Sequence, residues 1–211
     1  MSHKMKILIN ILIIGGIVAS TCFVTRTYAK PVKTDMIVLA GGCFWGVEGV
    51  FEHVKGVQTV ISGYAGGKAD NAQYEAVSAG NTDHAESVEI TYDPTQVSLE
   101  QLLDVYFLVA HNPTELNYQG PDHGTQYRSA IFYETAQQKK IVAEKISALN
   151  AQKKFDAKIV TKLEPLTQFY PAEDYHQNYL AQHPHQPYIM MYDAPKITAL
   201  KQIFPNLYTE K

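Results

Sequence analysis

The residue in this chain best suited to covalent chemistry is Cys43, in the stretch GGCFWG (41–46). Only two cysteines are present, Cys22 and Cys43. Taken alone, Cys43 admits four readings: a small core residue, a metal ligand, half of a disulfide, or a nucleophile. MIVLAGG (36–42) reads as a short strand. CFWGVEGVFEHV (43–54) reads as a helix, with Phe44, Val47, Val50, Phe51 and Val54 at helical spacing. The thiol therefore stands where a strand hands over to a helix. Unpaired N–H groups and the helix dipole favour an anion there, and such placement commonly lowers a thiol pKa from about 8.5. Gly41 and Gly42 would let backbone N–H groups approach the sulfur with no Cβ between them. One cysteine among scattered histidines lacks zinc-ligand spacing. The turn and the context favour a nucleophile over a core residue. Phe44 and Trp45 read individually as core anchors; together beside a nucleophile they could wall an apolar pocket for a methyl or thioether group.

A nucleophile of this kind needs a proton source. In GNTDHAESVEI (80–90), Glu86 enters an apolar strand, where desolvation would raise its pKa and leave a neutral acid at working pH. The plain alternative is a solvated strand-edge carboxylate. His84 offers a different chemistry, as base to Cys43 in a Cys–His hydrolase, although no GxCxG elbow accompanies it.

The elements that must position these residues follow from periodicity. Strands are expected over 36–42, 57–67, 85–94, 126–133 and 157–166. Helices are expected over 43–54, 98–110 (with Ser98 as N-cap), 135–152 and 172–184, followed by an irregular tail in which KITALKQIF has helical spacing. This alternation predicts an α+β fold, a two-layer ferredoxin-like α/β sandwich with a mixed sheet and its helices on one face. Two polar loops, 68–84 and 111–125, exceed what a compact domain normally tolerates and read as functional.

The chain of 211 residues fits one domain with an appendage, and its net charge of −3, without a basic stripe, argues against nucleic acid. The appendage is the N-terminus. Two lysines in MSHKMK, the apolar run 7–24, and Thr27 and Ala29 flanking Tyr28 make the three parts of a secretory signal peptide over residues 1–29. An uncleaved membrane anchor is the alternative, since the run nears bilayer length. The domain is then exported, periplasmic or secreted, or held at the inner membrane if the signal stays. Cleavage after Ala29 would remove Cys22 and leave Cys43 unpaired in an oxidising compartment, a hazard unless the thiol is buried or used.

Six motifs occur in order: GGCFWG, SGYAGG (62–67), the YEAV…HAESVEI run (74–90), DVYFLVAHNPT (104–114), QGPDHGTQYRSAI (119–131) and FYPAEDYHQNYL (169–180). Over residues 34–184 the chain resembles the A-type peptide methionine sulfoxide reductases. The resemblance implies reduction of methionine-S-sulfoxide in oxidised proteins and of free methionine sulfoxide. It implies Cys43 as nucleophile, Glu86 as acid, Tyr74 and Tyr127 as donors to the sulfoxide oxygen, Asp122 as an aid in holding substrate, and Phe44 with Trp45 as the S-methyl pocket. His176 matches a family helix and reads as structural. No metal or cofactor is implied. Many members carry resolving cysteines near the C-terminus; the extension 185–211 has none. A Cys43 sulfenic acid would therefore be recycled by an external thiol that is thioredoxin-, glutaredoxin- or glutathione-like, or by dithiothreitol in vitro. A monomer is expected. A non-catalytic sensor that binds methionine sulfoxide in the same pocket is the competing reading from another class.

Overall fold

The computed structural model describes residues 33–211, so the segment read as a signal peptide, and Cys22 within it, lie outside the described residues. Strand β1 (Asp35–Ala40) alternates Ile37 and Leu39 to one face of the sheet with Val38 and Ala40 to the other. It leads into α1 (Phe44–Glu52), which crosses to β2 (Val57–Ala65). The short α2 (Tyr74–Ser78) lies in the first long loop, and β3 (Ala85–Tyr92) then inserts antiparallel between β1 and β2. After α3 (Leu99–Val105), continued by a π-helical turn at Tyr106–Ala110, and a small hairpin of β4 (Tyr118–Gln119) and β5 (Asp122–His123), the chain returns as β6 (Ala130–Tyr133) on the far side of β1. The order β6-β1-β3-β2 is that of the ferredoxin-like split βαβ arrangement.

Two edge strands widen this frame. A βαβ crossover through α4 (Ala136–Ala151) adds β7 (Lys162–Pro165) parallel to β6, and β8 (Phe169–Pro171) pairs antiparallel with β2. Capping boxes start α3 and α4, Ser98 with Gln101 and Thr135 with Gln138. The main core lies between the sheet and α1, α3 and α4, whereas the opposite face carries only a thin layer including Val38, Phe132 and Phe169. The chain is thus an α+β sandwich with helices on one face, as expected.

Local differences have physical causes. The strand expected over 126–133 begins only at Ala130, because Thr125–Tyr127 is a 3-10 turn. Arg128 holds that turn by donating to the carbonyls of Thr125 and Asp83, both at 3.0 Å. The strand expected over 157–166 shrinks to β7, the stretch that pairs with β6. The helix expected over 172–184 is a 3-10 turn at Asp174–His176, an extended Gln177, Asn178 in the left-handed region, and one turn of α5 (Tyr179–Gln182). There the Gln177 side-chain amide bonds both the N–H and the C=O of Ser62 at 3.0 Å, replacing a strand partner and ruling out helix. Residues 185–211 form a π-helical turn at Ile189–Asp193 and α6 (Ala194–Ile203), with Ile189 and Leu200 fully buried. This segment closes on α1 and the residues after it through the Val54–Tyr208 bridge and the Lys55 N–H donating to the Leu207 carbonyl at 2.7 Å.

Candidate active site

Cys43 is the N-cap of α1, 9 % exposed, and lines a cavity of about 200 Å³. Gly42 makes the preceding turn at φ +90°, and a Cβ there would meet Gln119 Cγ at 2.6 Å; one at Gly41 would meet His111 Cγ at 2.7 Å. The two glycines therefore admit the turn and the side chains from the second long loop.

Eight residues line the cavity: Cys43, Phe44, Trp45, Tyr74, Glu86, Asp122, Tyr127 and Tyr188. Seven are those singled out in the sequence, drawn together from α1, α2, β3, β5 and the 3-10 turn before β6. Glu86, the second residue of β3, is 2 % exposed and accepts the Phe44 N–H at 3.1 Å. Burial, with a smaller push from Asp122, raises its pKa to about 8 despite that amide. It is a buried, neutral acid at pH 7 and not a solvated strand-edge carboxylate.

Cys43 departs from its expectation. Burial comes first, followed by Glu86 and Asp193, and together they push the thiol well above its usual range, while the Trp45 N–H pulls the other way. The helix N-terminus is present, but in this enclosed site desolvation outweighs it. At rest the cavity holds a thiol beside a carboxylic acid.

Tyr74 opens α2, where its N–H donates to Glu173 at 2.9 Å; the other oxygen of Glu173 accepts the Tyr64 hydroxyl at 2.9 Å. Tyr127 closes the 3-10 turn, which Gln126 ties to the Ser78 carbonyl at 3.2 Å. Burial, then Glu86, raises both phenol pKa values, so each is a neutral donor at physiological pH. The Trp45 indole is clamped: its Nε1–H donates to His176 Nδ1 at 3.1 Å, and its ring stacks on Tyr179 at 3.8 Å. His176 also lies 5.0 Å from Phe44 and 4.4 Å from Tyr74, a wall shared by the apolar and hydroxyl-bearing sides. Asp122, on β5, accepts the Tyr188 hydroxyl; burial raises its pKa, while Tyr188 and Lys196 lower it.

His84 is fully buried, and both ring nitrogens are engaged by backbone, with the Gly67 N–H at 3.2 Å and the Lys68 carbonyl at 2.9 Å. It has no nitrogen left to serve as base to Cys43, which removes the Cys–His hydrolase reading. Tyr188 is the one lining residue that sequence reasoning missed. It lies beyond the last recognisable motif, and only the folding of the tail onto α1 brings it to the cavity. The same tail buries the Asp193–Lys196 ion pair, 3.0 Å apart, against Gly46 in the first turn of α1.

Comparison with known proteins agrees with this geometry. The family model described as peptide methionine sulfoxide reductase matches residues 35–207. The chain is 58 % identical to peptide methionine sulfoxide reductase MsrA 2 of Mesorhizobium japonicum over 84 % of its own length and 91 % of the relative's. It is 49 % identical to MsrA 2 of a Synechocystis strain, over 82 % of its own length and 81 % of the relative's. Among solved structures, reduced Mxr1 of Saccharomyces cerevisiae superposes with a TM-score of 0.67 at 36 % identity, covering 76 % of this chain and 92 % of that one. Methionine sulfoxide reductase A of Corynebacterium diphtheriae superposes at 0.64 and 38 % identity, covering 75 % and 79 %. A thiol and a neutral acid at one helix N-terminus, two phenols facing them and an aromatic wall thus stand in a chain that belongs to the A-type peptide methionine sulfoxide reductase family.

Proposed function

We propose that this chain reduces methionine-S-sulfoxide by moving the sulfoxide oxygen onto Cys43, with each cavity residue in a defined role. The observation that carries the reading is the meeting, in one cavity of about 200 Å³, of a thiol, a carboxylic acid with pKa near 8, and two neutral phenols. A sulfoxide sulfur is a poor electrophile until its oxygen accepts a proton or strong hydrogen bonds. Glu86, Tyr74 and Tyr127 supply those donors where negative charge develops. Phe44 and Trp45 hold the S-methyl group, and Asp122, tied to Tyr188, helps orient the substrate.

As the oxygen takes its proton from Glu86, the Glu86 carboxylate accepts the Cys43 proton, so the thiolate arises only with substrate present. The substrate S–O bond breaks and the Cys43 S–O bond forms. The products are methionine and a Cys43 sulfenic acid: the substrate sulfur is reduced by two electrons and Cys43 oxidised by two. Two external thiols then return Cys43 to the thiol, releasing a disulfide and water. A protein dithiol or a glutathione-like monothiol fits this step, since Cys43 is the single cysteine among the described residues.

The N-terminal pattern supports export, with Lys30 as the first residue after cleavage; N-terminal sequencing of the protein recovered from the cell envelope tests this. Activity itself is tested by offering each methionine sulfoxide epimer with dithiothreitol. Consumption of the S epimer alone is expected. Consumption of neither, with Cys43 reduced, would remove the reading.

A further inference from the structure

Tyr74 and Trp45 serve different atoms of the substrate, and neither is fixed by its own element alone. The helix that Tyr74 opens is five residues long, and its N-cap, Gln73, makes no side-chain hydrogen bond to it. First-turn N–H groups must then find partners elsewhere. For Tyr74 that partner is Glu173 Oε1, which accepts its N–H at 2.9 Å. Trp45 depends on His176. An indole N–H can only donate, so His176 Nδ1 is the acceptor at 3.1 Å and the proton of the neutral ring sits on Nε2. That Nε2 is buried, has no hydrogen-bond partner, and faces Glu173 Oε2 at 4.0 Å. The same Oε2 accepts the hydroxyl of Tyr64, a fully buried ring 5.9 Å from Phe44.

One carboxylate thus reaches the hydroxyl-bearing side and both aromatics of the apolar wall, while standing outside the cavity lining. It is itself held to the sheet from both directions along the chain. Before it, β8 pairs with β2; after it, the Gln177 amide bonds Ser62 and the Ala172 carbonyl at 3.0 Å. Burial pushes the Glu173 pKa up, but the Tyr74 N–H, its own N–H, the Tyr64 hydroxyl and His176 outweigh it, so this carboxylate, unlike Glu86, is ionised. A sulfoxide sulfur carries its oxygen and methyl group at a fixed angle, so oxygen donor and methyl wall must be set relative to each other. We propose, on the reading of the cavity as the methionine sulfoxide site, that Glu173 is the positioning residue that does this. It fixes the Tyr74 hydroxyl through the start of α2 and the Trp45 indole through His176, so that one bound sulfoxide meets both.

The test is a double-mutant cycle, read as kcat/KM for methionine-S-sulfoxide with excess dithiothreitol. It uses Glu173→Ala, Tyr74→Phe and their combination, with Tyr127→Phe in place of Tyr74→Phe as the reference cycle. Alone, Glu173→Ala should lower kcat/KM about 10- to 100-fold, the range for a misplaced reacting group. Tyr74→Phe, which costs about 10-fold with Glu173 present, should cost less than about 2-fold without it, whereas Tyr127→Phe should keep its full cost. Trp45 is the only tryptophan of the chain, so its fluorescence reads the other side directly; its emission should move to longer wavelength in Glu173→Ala. Where the alanine variant fails to fold, Glu173→Gln, which keeps the length and one acceptor oxygen, should show the same coupling at smaller size. An unchanged cost of Tyr74→Phe would overturn the assignment, as would unmoved Trp45 emission. Loss of both tyrosine effects alike would mark a general collapse of the site and overturn it too. No turnover of the S epimer by the wild type would remove the cavity reading and the role of Glu173 with it; turnover without coupling would remove Glu173 alone.

Discussion

At Glu86 two effects oppose each other, and their sizes decide the chemistry. A helix N-terminus stabilises a carboxylate by about 0.3–1 kcal/mol, whereas burying an ion costs several kcal/mol. Desolvation wins, and the group stays protonated to about pH 8. Glu86→Gln, which keeps an acceptor for the Phe44 N–H, should lower kcat by about 10²-fold or more, the usual contribution of a general acid. In the wild type kcat/KM should fall as pH rises through about 8, and the variant should lose that limb. Stability follows the same sign. The folded-state pKa lies above the unfolded one, so this group's contribution is fully present below about 4.5 and is lost as pH rises through about 8. Thermal unfolding should therefore show Glu86→Gln gaining more Tm relative to wild type at pH 9 than at pH 5. Tyr74→Phe and Tyr127→Phe should each cost about 10-fold in kcat/KM, the scale of one hydrogen bond. Cys43 and Glu86 were readable from their positions, a strand-to-helix turn and the start of an apolar strand. Tyr74 and Tyr127 were not. Tyr74 falls on a polar loop with no periodicity to read and Tyr127 at the edge of an expected strand, and only the motifs around them single them out.

The elements that matter most are α1 and the C-terminal segment that closes over it. Gly46, in the first turn of α1, admits the Asp193–Lys196 pair: a Cβ there would lie 2.0 Å from Asp193 Oδ1 and 2.7 Å from Lys196 Nζ. Gly46→Ala should cost about 1–3 kcal/mol in denaturant unfolding, the range for overpacking, and raise KM as Tyr188 loses its seat. An effect on stability with KM unchanged would show that the tail does not serve the cavity. The tail's contribution was hidden in the sequence because α6 shows only a modest apolar face; what docks it is the burial of Ile189 and Leu200, the Val54–Tyr208 bridge, and an ion pair seated against a glycine on another element. β8 was hidden for a related reason. Three residues give too little alternation to read, and the Gln177 side chain that completes the local pairing looks like an ordinary polar position.

Across the whole molecule, the ferredoxin-like order brings the end of β1, the start of β3 and the turn before β6 to one end of the sheet, and the two long loops complete the cavity there. The alternation of strands and helices made this architecture legible from sequence, while the edge strands and tail depended on contacts between distant segments. The same scale bears on the proposed recycling by an external thiol: Cys43 is the single cysteine among the described residues, and the tail brings Tyr188 to its cavity. The most direct measurement is a single-turnover experiment on the reduced domain with excess methionine-S-sulfoxide and no reductant, following methionine released and the mass of the peptide containing Cys43. The expected result is about one equivalent of methionine per chain, with Cys43 gaining one oxygen that a sulfenic-acid trap captures. Repeated turnover without thiol, or methionine formed while Cys43 stays unoxidised, would contradict oxygen transfer to this thiol.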